Sequence, residues 1–84
     1  MNIIWTELAW ESYLHWQAID KKMLKRINQL IQVIRRTPFE GIGKPEPLKF
    51  ELAGKWSRRI NEEHRLVYEI KKNELIIFQC RYHY

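Results

Sequence analysis

Between Asp20 and Pro38, Met23, Leu24, Ile27, Leu30, Ile31 and Ile34 recur at steps of three and four. That spacing belongs to a helix with one buried face, so this stretch must lie against other apolar surface. Asp20 reads as its N-cap, Arg35 and Arg36 suit the negative end of the helix dipole, and Pro38 stops it. Lys21, Lys22, Lys25, Arg26, Gln29 and Gln32 fall on the outer face, where a solvated face is preferred to an RNA-binding one. Upstream, the β-branched run at 2–5 reads as a strand. Thr6 then caps a first helix over ELAWESYLHWQA, which sets Trp10, Tyr13, Leu14 and Gln17 at helical spacing. The short gap between the two helices implies an antiparallel helical hairpin.

After the helices the pattern changes. Residues 37–48 hold all three prolines and two of the three glycines, a loop stiff enough to present side chains. Beyond it, apolar residues recur at every second position, as strands require. KFELA and WSRRIN are read as a hairpin turning at Gly54-Lys55. HRLVYEI turns through Lys71, Lys72 and Asn73 into ELIIFQCRYHY. Alternation puts Leu66, Tyr68 and Ile70 on one face and Arg65, Val67 and Glu69 on the other. Ser57, Arg59 and Asn61 form a polar set. On the last strand it buries Ile76, Phe78, Cys80 and Tyr82 and turns Gln79, Arg81 and His83 outward. The fold expected is α+β: an N-terminal strand and a two-helix hairpin packed on one face of a mainly antiparallel sheet. The uncovered face is expected to gather Arg59, Arg65, Arg81 and His83, with Lys49 at its margin.

At 84 residues the chain is expected to form one domain, 1–84. Its aromatic content, 13%, lets a small core bury much apolar area. The formal charge of +5 favours a polyanionic partner. One cysteine allows no internal disulfide, which points to a reducing, cytoplasmic setting. No uncharged run suits a membrane helix, and the N-terminus has no secretory signal pattern, so no membrane association is expected.

His15, His64, His83 and Cys80 match no metal-ligand spacing, so neither metal nor cofactor is expected. The Gly-x-Gly at 41–43 lacks the remainder of a phosphate-binding loop. Cys80 alternates with apolar residues as an inert buried thiol. The expected cationic face has the parts needed to cleave RNA without a metal. A 2′-OH must lose a proton to attack phosphorus, the 5′-oxygen must gain one, and cations stabilise the phosphorane between them. Glu46 as base, His83 as acid and Arg65 as charge stabiliser fit those parts, and Glu46 and His83 can exchange roles. A non-catalytic RNA-binding module would carry a similar basic face.

The stretches RRTPFEGIGKPEPLK (35–49), WSRRI (56–60), EEHRLVY (62–68) and CRYHY (80–84), with the opening IIWTELAWESYLHWQ, closely resemble the YoeB toxins. These belong to the RelE/ParE superfamily of bacterial toxin–antitoxin systems. The resemblance implies an mRNA interferase that enters the ribosomal A site and cleaves the mRNA there. It also implies a cognate antitoxin of the YefM type and homodimerisation. The family's functional positions map onto Glu46, Arg65, His83 and Tyr84, with Lys49 and Arg59 as supporting cations. Arg81 joins the RNA-binding set from its expected place on the same face. The gyrase-poisoning ParE branch lacks the Glu/Arg/His set present here. Two departures, Phe50 after Lys49 and Lys55 at the expected hairpin tip, bear on substrate docking and remove no catalytic group.

Overall fold

The computed structural model describes residues 1–84. Strand β1 (Asn2–Trp5) leads into helices α1 (Glu7–Ile19) and α2 (Lys21–Arg36). Then come β2 (Glu46–Pro47), a 3₁₀ turn at Phe50–Leu52, β3 (Trp56–Arg59), β4 (Arg65–Lys71) and β5 (Glu74–Gln79). The five strands form one sheet in the order β1-β5-β4-β3-β2. Only the β1–β5 pair is parallel; the other three are antiparallel.

The capping residues act as expected. The Thr6 hydroxyl accepts from the Ala9 amide at 3.2 Å. Asp20 serves both helices: its amide donates to Trp16 O, and its carboxylate accepts from the Lys22 and Met23 amides. That one residue suffices to fold α2 back beside α1, where Tyr13 donates to Asn28 Oδ1 at 2.7 Å. On α2, Met23, Ile27, Leu30, Ile31 and Ile34 are buried, the face its spacing predicts. On α1 the buried residues are Ala9, Ser12 and Trp16, while Trp10 and Leu14 are exposed. Two small side chains there leave room for close packing, which the large-residue pattern did not reveal.

The core joins these helix faces to Leu66, Tyr68, Leu75, Ile77 and Cys80. Alternation holds on β4. On β5 it is corrected: Leu75 and Ile77 point into the core, so Ile76 and Phe78 do not. The cause is a bulge, since Tyr68 pairs with Ile77 but Val67 pairs with Gln79, leaving Phe78 as an extra residue. The extra residue shifts the parity, and Cys80 thereby returns to the core. β5 ends at Gln79, so Tyr82 is not buried on a strand as expected but 57% exposed, at φ +66°.

KFELA is not a strand. Phe50 adopts φ +57° at the start of the 3₁₀ turn and is 88% exposed. The hairpin arm is instead Glu46–Pro47, pairing Glu46 with Ser57 and Pro47 with Trp56. Its loop is closed by the Leu48 amide donating to Lys55 O at 2.9 Å. A two-residue edge strand tolerates proline, which has no amide hydrogen to offer a further neighbour.

Arg58 is fully buried on the helix side of the sheet. Its guanidinium donates to Tyr68 Oη (3.1 Å) and to the carbonyls of Ile42 (3.0 Å), Thr37 (2.8 Å) and Glu40 (3.0 Å). The proline-rich loop is thus tied to the sheet by one cation without a carboxylate partner. Burial raises the Tyr68 pKa, while the Arg58 hydrogen bond and charge oppose the shift.

Candidate active site

Past Gln79 the chain turns back across the sheet face opposite the helices. Three contacts steer it: Trp16 Nε1 donates to Cys80 O (2.8 Å), the Tyr82 amide to His64 Nδ1 (2.7 Å), and the Arg65 amide to Tyr82 O (3.0 Å). His64 is itself held by the edge of the Trp16 ring, with centroids 4.9 Å apart. It is a structural histidine.

This path brings Tyr84 over β3 and β2. Ser57 Oγ donates to Tyr84 Oη at 3.4 Å, and Tyr84 Oη donates to Glu46 Oε1 at 2.9 Å. The His83 ring stacks on Tyr84, with centroids 4.5 Å apart. Glu46, Lys49, Phe50 and Tyr84 line a cleft of about 440 Å³. Glu46 is exposed and held on a short strand with proline on both sides, so its carboxylate is presented rather than buried.

Arg65 stands two residues along β4 from Val67, the partner of Ser57, and is only 8% exposed. Its Nη1 donates to the carbonyls of Asn61 (2.8 Å), Glu62 (3.1 Å) and His64 (3.1 Å), which fixes the guanidinium. Arg59 is its partner across β3–β4 and is exposed. Arg81 is not on this face, a correction to the simple alternation. It lies over Trp16 and Tyr82, at 5.8 and 4.6 Å, because the strand ends two residues earlier. The face is also less open than expected, since Ser57, Arg65 and Val67 are buried where the C-terminal segment crosses.

Three residues important to this arrangement escaped the sequence reading. Ser57 was placed only in a polar set. Phe50 was noted only as a departure. Arg58 has a signal in hindsight: with Ser57 and Arg59 facing one way, alternation sends Arg58 to the core side. Chemically, the site offers a carboxylate, an imidazole, a phenol and fixed or mobile cations. No three His, Cys, Asp or Glu side chains converge on one point.

The profile of a family described as "YoeB-like toxin of bacterial type II toxin-antitoxin system" matches residues 5–84. Toxin YoeB of Escherichia coli strain K12 is 61% identical over 84 residues, covering all of both chains. The structure of the YoeB dimer from Staphylococcus aureus superposes with a TM-score of 0.94 at 52% identity, covering 100% of this chain and 98% of that one. A YoeB–YefM complex from the same bacterium superposes with a TM-score of 0.93 at 50% identity and the same coverage.

Proposed function

The chain belongs to the YoeB-like toxins of bacterial type II toxin–antitoxin systems, and from this premise we propose that it is a ribosome-dependent mRNA endonuclease. The observation that carries the proposal is the hydrogen-bonded run Ser57–Tyr84–Glu46 with His83 stacked on it. Glu46 takes the proton from the 2′-OH as that oxygen attacks the adjacent phosphorus. His83 returns a proton to the departing 5′-oxygen. The products are a 2′,3′-cyclic phosphate and a free 5′-hydroxyl. Arg65, already immobilised by three carbonyls, needs little reorganisation to stabilise the phosphorane charge. Tyr84 orients Glu46 and offers a ring on which a base can stack. Lys49 and Arg59 hold neighbouring phosphates, and Arg81 supports the C-terminal segment from the helix side. The chemistry uses no metal ion and no cofactor.

The ribosome's part is positioning. Every proposed group is exposed or lies at the surface except Arg65, so the open cleft by itself does little to align a flexible RNA. Holding the 2′-OH in line with the scissile bond contributes roughly 7–11 kcal/mol in well-oriented reactions. A YefM-type antitoxin neutralises the toxin by laying acidic side chains over Arg59, Arg65 or Lys49. Homodimerisation uses the face of β1 and α1 where exposed Trp10 clusters with half-buried Trp5 and Tyr13. No helix is long and apolar enough to cross a membrane. The reducing cytoplasm is the compartment consistent with one buried thiol and a ribosomal target.

The test is single-turnover cleavage of A-site mRNA on programmed ribosomes and of the same RNA free. The expected result is a 2′,3′-cyclic phosphate terminus and a rate several orders of magnitude higher on the ribosome. Absence of that terminus, with RNA still bound, assigns the chain to non-catalytic RNA binding.

A further inference from the structure

We propose that a second cleft, bounded by Arg26, Lys44 and Arg59, binds a phosphodiester of the RNA strand away from the scissile bond. The inference rests on the RNA-directed reading above but concerns residues to which that reading gives no role, Arg26 and Lys44.

The four leading cations of α2 are not alike. Lys21, Lys22 and Lys25 are exposed, whereas Arg26 is partly buried and precedes Ile27, which is fully buried. Arg26 opens onto a cleft of about 300 Å³, also lined by Gly43, Lys44, Arg59, Ile60, Asn61 and Glu62. The cations come from three separate elements: α2, the proline-rich loop and β3. Gly43 brings them together. At φ +86°, a Cβ on it would lie 2.9 Å from Leu30 Cδ2 and 3.2 Å from Arg59 O. Its carbonyl accepts from the Arg59 amide. The loop is therefore pressed between α2 and β3, and Lys44 is delivered beside Arg26 and Arg59.

No carboxylate is paired directly with these cations. The one carboxylate contact within 4.0 Å of a basic side chain joins Glu63 to the His64 ring, so none lies that close to Arg26, Lys44 or Arg59. Glu62 is the single acidic residue lining the cleft. Convergent like charges raise the free energy of the folded chain unless an anion joins them. The cleft has one apolar wall residue, Ile60, and no aromatic ring. It therefore suits a phosphate rather than a base, and it lacks the apolar anchors on which peptide docking depends. Arg59 is two residues along β3 from Ser57, about 7 Å. One RNA strand can thus run from the Tyr84–Glu46 site into this cleft.

The experiment measures binding of two short single-stranded RNAs, one of mixed sequence and one homopolymer, over a range of salt. The Glu46→Gln chain is used so that the probe survives. Arg26→Gln and Lys44→Gln are expected to weaken both RNAs alike and to lower the slope of log K against log salt by about 0.7 for each contact removed. Lys21→Gln and Lys22→Gln, on the exposed face, are expected to leave the slope unchanged. An unchanged slope in the Arg26→Gln/Lys44→Gln double variant overturns the proposal, as does an equal fall in the two controls. A loss confined to an acidic antitoxin peptide assigns the cleft to that partner and also overturns it. Binding and cleavage are read separately. A parent chain that cleaves nothing while the slopes fall refutes the nuclease reading and upholds the cleft. Cleavage with unchanged slopes does the reverse, and absence of RNA binding at low salt overturns the cleft alone, because cleavage on the ribosome is read separately.

Discussion

Tyr84 Oη lies 2.9 Å from Glu46 Oε1, so the proposed proton acceptor carries a hydrogen bond from a residue 38 positions away before any substrate arrives. The bond aims one carboxylate oxygen and leaves the other free. Glu46→Gln is expected to keep the fold, because the side chain is exposed, and to lower single-turnover cleavage by about 10²–10⁴-fold, the usual reach of general acid–base catalysis. Tyr84→Phe keeps the ring stacked on His83 and loses only the hydroxyl, so its effect should be smaller than that of Tyr84→Ala. Equal rates for the two Tyr84 variants would remove the ring from the account.

Arg58 should dominate the loop's stability. Arg58→Met leaves the carbonyls of Thr37, Glu40 and Ile42 without their donor. Each orphaned buried acceptor costs about 1–3 kcal/mol, and water reaches this part-buried loop, so a total loss of about 3 kcal/mol is expected in urea unfolding. Limited proteolysis should then cut between Pro38 and Lys44. A variant as stable as the parent, with the loop still protected, would show that the four bonds are energetically idle.

Burial pushes the Cys80 thiol up to about 12 from its usual 9.0. The folded chain thus holds this proton more tightly than the unfolded one. The resulting contribution to stability is complete below pH 9 and drains away as pH rises toward 12. It amounts to on the order of 4 kcal/mol across that window. Cys80→Ala is expected to flatten the alkaline limb of the stability–pH curve. At neutral pH the native thiol should resist alkylation and react at once in denaturant.

Metal independence has its own measurement. A phosphorothioate at the scissile position slows metal-assisted cleavage with Mg²⁺ and is rescued by a thiophilic ion. No such rescue is expected here, and chelation of the toxin before mixing should leave its rate unchanged. Rescue by Mn²⁺ or Cd²⁺ would place an ion in the reaction.

The helices were legible because Thr6, Asp20 and the period of α2 are local signals. The sheet was legible in outline, and β4 in detail. What escaped was non-local. The bulge at Phe78 depends on how β4 and β5 twist together, so alternation alone misassigned Ile76 and Phe78. Phe50 looked like a strand residue because aromatics favour strands, yet the chain there is set by the closure of the loop between Leu48 and Lys55. At the site, residue types pointed to Glu46, His83 and Arg65, and the family resemblance added Tyr84. Their convergence depends on the C-terminal segment turning at Cys80–Tyr82 under the control of Trp16 and His64, contacts no periodicity encodes. The same turn carried Arg81 to the helix side.

The parallel pairing of β1 with β5 sets a condition on when this toxin becomes harmful. Asn2 meets Glu74 and Trp5 meets Ile77, so the first strand made waits for the last before the sheet closes. Until β5 and the segment after it are in place, Trp16 lacks the Cys80 carbonyl it donates to, and Tyr84 lacks its path to Ser57 and Glu46. Such long-range closure comes late in folding. The proposed catalytic groups Glu46, His83 and Tyr84 therefore come together only after β5 and the segment beyond it have emerged and folded.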